Sequence, residues 1–183
     1  MRNPFSRSAS IPDAVATRAR LVKGERVLAS TVSRDGAWLV GTRDALVLVP
    51  PASAGAGSSV EPAGTRIPWE GVERADWDRE GSRLRIVEVG EFGRPRPEHT
   101  YAVDEPGQFL PLVRERVTAS VVLQRRVVVS GKKGLFVIAR RPPRGTGEIT
   151  WAYEFDRDVD PADPAVMEVA RRGLLTAAEE LGL

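Results

Sequence analysis

The spacing of apolar residues changes character twice along the chain. Near its start, Val15, Ala19 and Val22 recur at helical intervals, and Ser10-Ile11-Pro12-Asp13 ahead of them reads as a helix start. Ser10 supplies an N-cap oxygen, Pro12 suits the first turn, and Asp13 meets the positive end of the dipole. The spacing predicts a short helix to about Leu21, ended by Lys23-Gly24-Glu25. From Val27 the period falls to two. Residues 27–32, 37–41 and 45–49 read as three strands, joined by an Asp35-Gly36 hairpin turn and by Arg43-Asp44. Turns this short make them an antiparallel meander. Residues 1–10 are polar and expected to be disordered, and residues 50–64, rich in Pro, Ala, Gly and Ser, read as a mobile surface loop.

Strands resume at 65–69, 72–77 and 84–89, and Pro95 and Pro97 force an extended link to a seventh strand at 100–103. Helical spacing then returns. Phe109, Leu112, Val113, Val117 and Ser120 share one face behind Glu105-Pro106-Gly107-Gln108, with Pro111 bending or delaying the first turn. Residues 121–129 and 135–140 form a hairpin about Ser130-Gly131-Lys132-Lys133-Gly134, and 141–147 is a loop. The next strand alternates cleanly, with Ile149, Trp151, Tyr153 and Phe155 on one face. Large residues aligned in this way must pack on another layer, either a helix or the preceding domain. Asp163-Pro164 opens a last helix whose Val166, Val169, Ala170, Leu174, Ala177 and Leu181 line one side, and Gly182 ends it.

These elements predict an α+β chain that is mainly β. Residues 1–21 are a tail and short helix; 22–120 are a seven-strand antiparallel sandwich or barrel capped by a helix; 121–183 are a βββα extension. The residues Gly24-Glu25-Arg26-Val27-Leu28, Gly41-Thr42-Arg43-Asp44-Ala45-Leu46-Val47-Leu48 and Ile67-Pro68-Trp69-Glu70-Gly71-Val72 add a family resemblance. A Gly-Glu opening, a turn with Arg at or just after the residue following Thr that leads into an apolar strand, and an Ile-Pro-aromatic segment are similar to the bacterial pleckstrin-homology-like domains. The likeness covers about residues 22–120, and the whole chain also resembles a group of actinobacterial proteins. It implies a binding scaffold. In phosphoinositide-binding members the first hairpin supplies several Lys and Arg; here it offers Arg34 beside Asp35, so peripheral membrane contact is not expected.

Composition adds two things. No cysteine occurs, which removes disulfides and thiolate chemistry and fits a reducing compartment, so a cytoplasmic location is expected. The start of the chain lacks the apolar stretch of a secretory signal, and no run is long enough for a transmembrane helix. Charge is lopsided although the net charge is only +2. Residues 1–113 balance at 15 basic and 15 acidic side chains, residues 114–144 carry nine basic and one acidic, and residues 145–183 three basic and nine acidic. Either the basic tract meets an anionic partner, or the acidic segment that follows folds against it.

Catalytic constellations are not recognisable. His99 is the only histidine and reads as a strand-edge residue, not as a general base. Asp76 and Asp78 share a strand face, but Arg74, Arg79 and Arg83 are close enough in sequence to make a salt-bridged surface. Asp156, Asp158, Asp160 and Asp163 lack the glycine and the final glutamate of a calcium loop. Gly131-Lys132-Lys133-Gly134 and Gly145-Thr146-Gly147 match no phosphate-binding fingerprint. The expectation is a non-catalytic cytosolic adaptor for a protein or peptide partner, with no cofactor and no metal. The alternative is a nucleic-acid or anionic-surface binder using the basic hairpin and loop 125–144, through Arg125, Arg126, Lys132, Lys133, Arg140, Arg141 and Arg144.

Overall fold

Short strands with tight turns make sheets only where their edges meet, and here they meet in three places. The computed structural model describes residues 10–52, 62–90, 96–144 and 147–183. The segment 1–9, most of the 50–64 loop, Pro95 and Gly145-Thr146 lie outside the described residues. The order is α1 (Asp13–Ala19), β1 (Val27–Val32), β2 (Trp38–Thr42), β3 (Ala45–Val49), β4 (Thr65–Pro68), β5 (Val72–Asp78), β6 (Arg83–Glu88) and β7 (Glu98–Ala102). Then follow α2 (Phe109–Ser120), β8 (Val121–Ser130), β9 (Lys133–Arg140), β10 (Thr150–Phe155) and α3 (Pro164–Glu180).

The expected seven-strand sandwich or barrel does not form. Among the described residues the strands divide into separate antiparallel sheets, β1-β2-β3-β4, β5-β6-β7 and β10-β9-β8, and none of them closes. The reason lies at the junction of β4 and β5. Pro68 ends β4 because proline has no N–H for a further ladder bond. Trp69–Gly71 then make a 3-10 turn, and the fully buried Trp69 indole donates to the Thr42 carbonyl at 3.2 Å. That anchor turns the chain away from the first sheet, so β5 founds a second one. On the far side the two sheets touch where the Arg34 N–H reaches the Ala102 carbonyl at 2.8 Å, beyond the end of β1.

Helix α2 fills the space between these sheets. Phe109, Leu110, Leu112 and Val113 join Ala29, Leu39, Leu46 and Ile67 of the first sheet, Trp69, and Val72, Leu84 and Ile86 of the second in one core. The helix starts at Phe109, later than Glu105, and Pro111 sits in its first turn, where the missing N–H costs no helical bond. Gly41 of β2 sets how close the helix comes: a Cβ there would lie 2.5 Å from Leu112 Cδ2. The first sheet is also covered outside. Val15 and Ala19 of α1 pack on Val40, Val47 and Val49, which is why all five residues of β3 are buried. Helix α1 is shorter than expected; Pro12 takes the N-cap position, with no side-chain cap bond, instead of Ser10.

Helix α3 covers one face of the third sheet. Ala170 and Ala177 meet Leu135 and Val137, with Trp151, Tyr153 and Phe155 half-buried beside them. Asp163 caps this helix, accepting the Ala165 N–H at 2.8 Å.

The residues behind the family resemblance have a common structural task. Glu25, whose side chain is 3 % exposed, accepts bonds from the Val22 N–H at 3.0 Å, from the Thr42 hydroxyl at 2.5 Å and from both Arg66 terminal nitrogens at 2.9 Å. The Thr42 hydroxyl also receives the Ala45 N–H at 3.1 Å, fixing the β2–β3 turn. Burial works against the Glu25 charge, but the bonds from Arg66, Thr42 and Val22 outweigh it and hold the carboxyl below its ordinary range. A depressed carboxyl contributes stability above its unfolded value and loses it as pH falls through its lower folded value. Glu25→Gln is therefore expected to destabilise by about 1–3 kcal/mol at neutral pH. In urea titrations at stepped pH, the gap from the parent protein should close on the acid side of the Glu25 titration.

Candidate functional site

The basic tract is folded into a hairpin, and that separates its charges. Lys132 and Lys133 sit at the β8–β9 tip, and Arg141 and Arg144 lie past the opposite end of β9. At about 3.4 Å per residue, the strand between them holds the two groups roughly 25 Å apart. All four are exposed, and among the described residues they make no ion pair.

The other three are engaged within the protein. Arg126 forks onto Asp156, with Nη1 at 2.8 Å from Oδ1 and Nη2 at 2.6 Å from Oδ2, and its guanidinium lies 4.9 Å from the centre of the Phe136 ring. Asp156 also accepts the Gly134 N–H at 2.8 Å. The Arg126 bond, then the Gly134 bond, pull its carboxyl down to about 2. Arg125 pairs with Glu180 at the end of α3. In both pairs the acidic C-terminal segment folds back on the basic one.

Arg140 is 4 % exposed and is no surface residue. Its Nη1 donates to the Val72 carbonyl at 3.2 Å and the Ser120 hydroxyl at 3.0 Å, and its Nη2 donates to the Glu73 carbonyl at 3.3 Å. A β9 side chain thus satisfies backbone acceptors at the start of β5 and a hydroxyl at the end of α2. Burial lowers the Arg140 pKa, opposed by the charges of Glu73 and Glu154. Arg96 works at the same seam, with Nη1 at 2.9 Å from Glu73 Oε1 and Nη2 at 3.0 Å from the Tyr153 carbonyl. Burial raises the Glu73 carboxyl, outweighing the nearby Arg96 and Arg74.

The remaining candidates are ordinary surface pairs. His99 lies half-buried on β7, with Nε2 at 2.6 Å from Glu88 Oε1 on the neighbouring strand. Asp76 pairs with Arg74 at 3.0 Å, and Asp78 accepts the Glu80 N–H at 3.1 Å. Arg34 of the first hairpin bonds Asp104, with Nε at 3.0 Å. Among the described residues, no group of three His, Asp or Glu side chains is placed to hold a metal ion.

A further concavity lies away from the hairpin and takes in only Arg114 of the basic tract. A groove of about 650 Å³ opens where the end of β5 meets the first turns of α2. Its apolar wall is Trp77, Pro106, Leu110 and Pro111, and Arg79, Arg114, Asp104 and Glu105 surround the mouth. Among the described residues β5 pairs with β6 alone, so its other edge has no strand partner there. Arg140 takes the carbonyls at its first two residues. The Trp77 indole N–H is buried and has no hydrogen-bond acceptor among the described residues. The alternation of Ala75 and Trp77 with Arg74, Asp76 and Asp78 marks Trp77 as inward-facing, but nothing local in the sequence says that α2 stops short of covering it.

No family model, curated protein or solved structure matches the chain. The expected pleckstrin-homology-like β-sandwich of an actinobacterial group therefore gives way to the description that strand pairing supports, an α+β fold of separate sheets.

Arg140→Met removes the donors that serve three buried acceptors and should cost about 3 kcal/mol in urea unfolding, against under about 0.5 kcal/mol for its exposed neighbour Arg141→Met. Glu73→Gln should behave in the opposite sense. A raised carboxyl imposes a penalty that is absent below its unfolded value and complete above its folded one, so the variant's melting temperature should match the parent's at acid pH and equal or exceed it at pH 8.

Proposed function

We propose that the protein is a non-catalytic binding module of the cytoplasm, and that it takes an extended segment of a partner protein in the groove between β5 and α2. The observation that carries this reading is the groove itself: a wall of Trp77, Pro106, Leu110 and Pro111 beside an open strand edge, with Arg79 and Arg114 at its mouth. Those features serve different parts of a peptide. The open edge offers backbone hydrogen bonds, the apolar wall takes a proline or aromatic side chain, and the two arginines meet a carboxylate. A reducing compartment is in keeping with the absence of cysteine. No helix of the described residues is long and apolar enough to cross a membrane. Nucleic acid or another anionic surface stands second, because the seven basic residues divide into one buried, two paired and two distant exposed groups.

The test is a random peptide-display selection on the intact chain. Enriched peptides should carry a proline or aromatic residue near an acidic one and should change indole fluorescence on binding. Trp77→Phe should remove much of that change and weaken binding several-fold, and Arg114→Glu should weaken it about tenfold, roughly 1.4 kcal/mol. Failure of any peptide to enrich, or peptides that bind the Arg114→Glu protein undiminished, would sink the reading.

A further inference from the structure

A second open edge lies on the far unit. At ten residues β8 is the longest strand described, among the described residues it pairs with β9 alone, and none of its residues is fully buried. Beside it runs α3, and between them lies a groove of about 350 Å³ lined by Arg125, Arg126, Val127, Val128, Arg172 and Thr176, among others. Gly173 fixes how near the helix comes to the strand, since a Cβ there would stand 2.5 Å from Val127 Cγ2.

We infer that this groove is a second docking surface, and that it receives an acidic, extended segment of another protein as a strand added to β8. The edge supplies the backbone half of the argument. An unpaired strand presents alternating N–H and C=O groups, and this one also leaves Val128 59 % exposed. Charge supplies the other half. The lining includes three arginines and no carboxylate. Arg125 and Arg126 fall on opposite faces of β8, so an added strand with acidic residues at successive positions reaches both. Lys132 and Lys133 continue the positive field at the tip.

The arginines already have partners, Arg125 with Glu180, Arg126 with Asp156, and Arg172 with Glu168 at 3.9 Å. The Arg125 and Arg172 pairs are exposed and exchange one carboxylate for another at little cost, whereas Arg126 stays forked on Asp156 and attracts an added carboxylate without releasing it. Other occupants fit less well. A second copy in antiparallel pairing would bring Arg125 and Arg126 toward the same residues of its neighbour, which like charge opposes. Single-stranded nucleic acid needs free aromatic faces, and the Phe136 ring on this hairpin is covered by Arg126.

The experiment is fluorescence anisotropy on the full chain with a blocked octapeptide of valines that carries a central pair of adjacent glutamates, one for each face of the added strand. Its controls are the valine–lysine counterpart, the same acidic peptide with N-methylated valines, and a labelled single-stranded oligonucleotide. The acidic peptide should bind in a salt-dependent manner, the lysine peptide should not, and N-methylation should weaken binding by removing strand hydrogen bonds. Val128→Glu with Arg172→Glu should lower affinity about tenfold or more. Circular dichroism melting checks that the double variant folds, and Arg172→Glu alone serves if it does not. Undiminished binding by the folded variant overturns the proposal. So does equal binding of the N-methylated peptide, which would mean that charge alone attracts it. Tighter binding of the oligonucleotide, lost in Lys132→Glu with Lys133→Glu, would assign the tip to nucleic acid instead. A dimer in light scattering that the double variant dissolves would give the edge to a second copy. None of these outcomes bears on the groove beside α2.

Discussion

The Arg140 guanidinium holds the architecture together. A charged group taken out of water is costly unless its donors are met, and here the two terminal nitrogens, though not the buried Nε, are met by elements far apart in sequence: the Val72 and Glu73 carbonyls of β5 and the Ser120 hydroxyl of α2. Because those acceptors are largely backbone, they demand position more than side-chain identity. Arg96 repeats the device across the same seam, joining Glu73 to the Tyr153 carbonyl. The third sheet is thus seated against the second by directed bonds, which fix its orientation in a way that apolar contact alone would not.

A comparable economy of anchoring shapes the first two sheets. Thr42 lies at the centre, its hydroxyl bonded to Glu25 and the Ala45 N–H and its carbonyl receiving the Trp69 indole. Through it the entry to β1, the β2–β3 turn and the exit from β4 meet at one point. The same Trp69 that fills the core also diverts the chain out of the first sheet, so core packing and sheet separation have a single cause.

Local structure was legible because local rules wrote it. Asp35-Gly36, Asp163-Pro164 and the alternation from Trp151 to Phe155 each announce their element within a few residues, and the observed strands fall within a residue or two of the pattern. What the sequence did not disclose was pairing across distance. Whether β4 continues into β5 depends on where Trp69 finds an acceptor, Thr42, 27 positions earlier. Arg140 looks like its neighbour Arg141 in composition, and only the placement of β5, 67 residues away, makes one a buried clamp and leaves the other in solvent. The groove beside Trp77 was hidden for the same reason: it is a gap between elements, and a gap leaves no residue pattern.

Helix α2 and strand β8 meet with nothing between them, Ser120 ending one and Val121 beginning the other. The two elements keep different periods, about 100° of rotation per residue in the helix and a reversal of face per residue in the strand. A single residue inserted or deleted at this point would turn the helix face away from its core, or would exchange Val127 and Val129 with Arg126 and Val128 across the sheet. Length variation, which surface loops absorb freely, is thus forbidden at residues 120–121 as strictly as a reading frame forbids it in a gene.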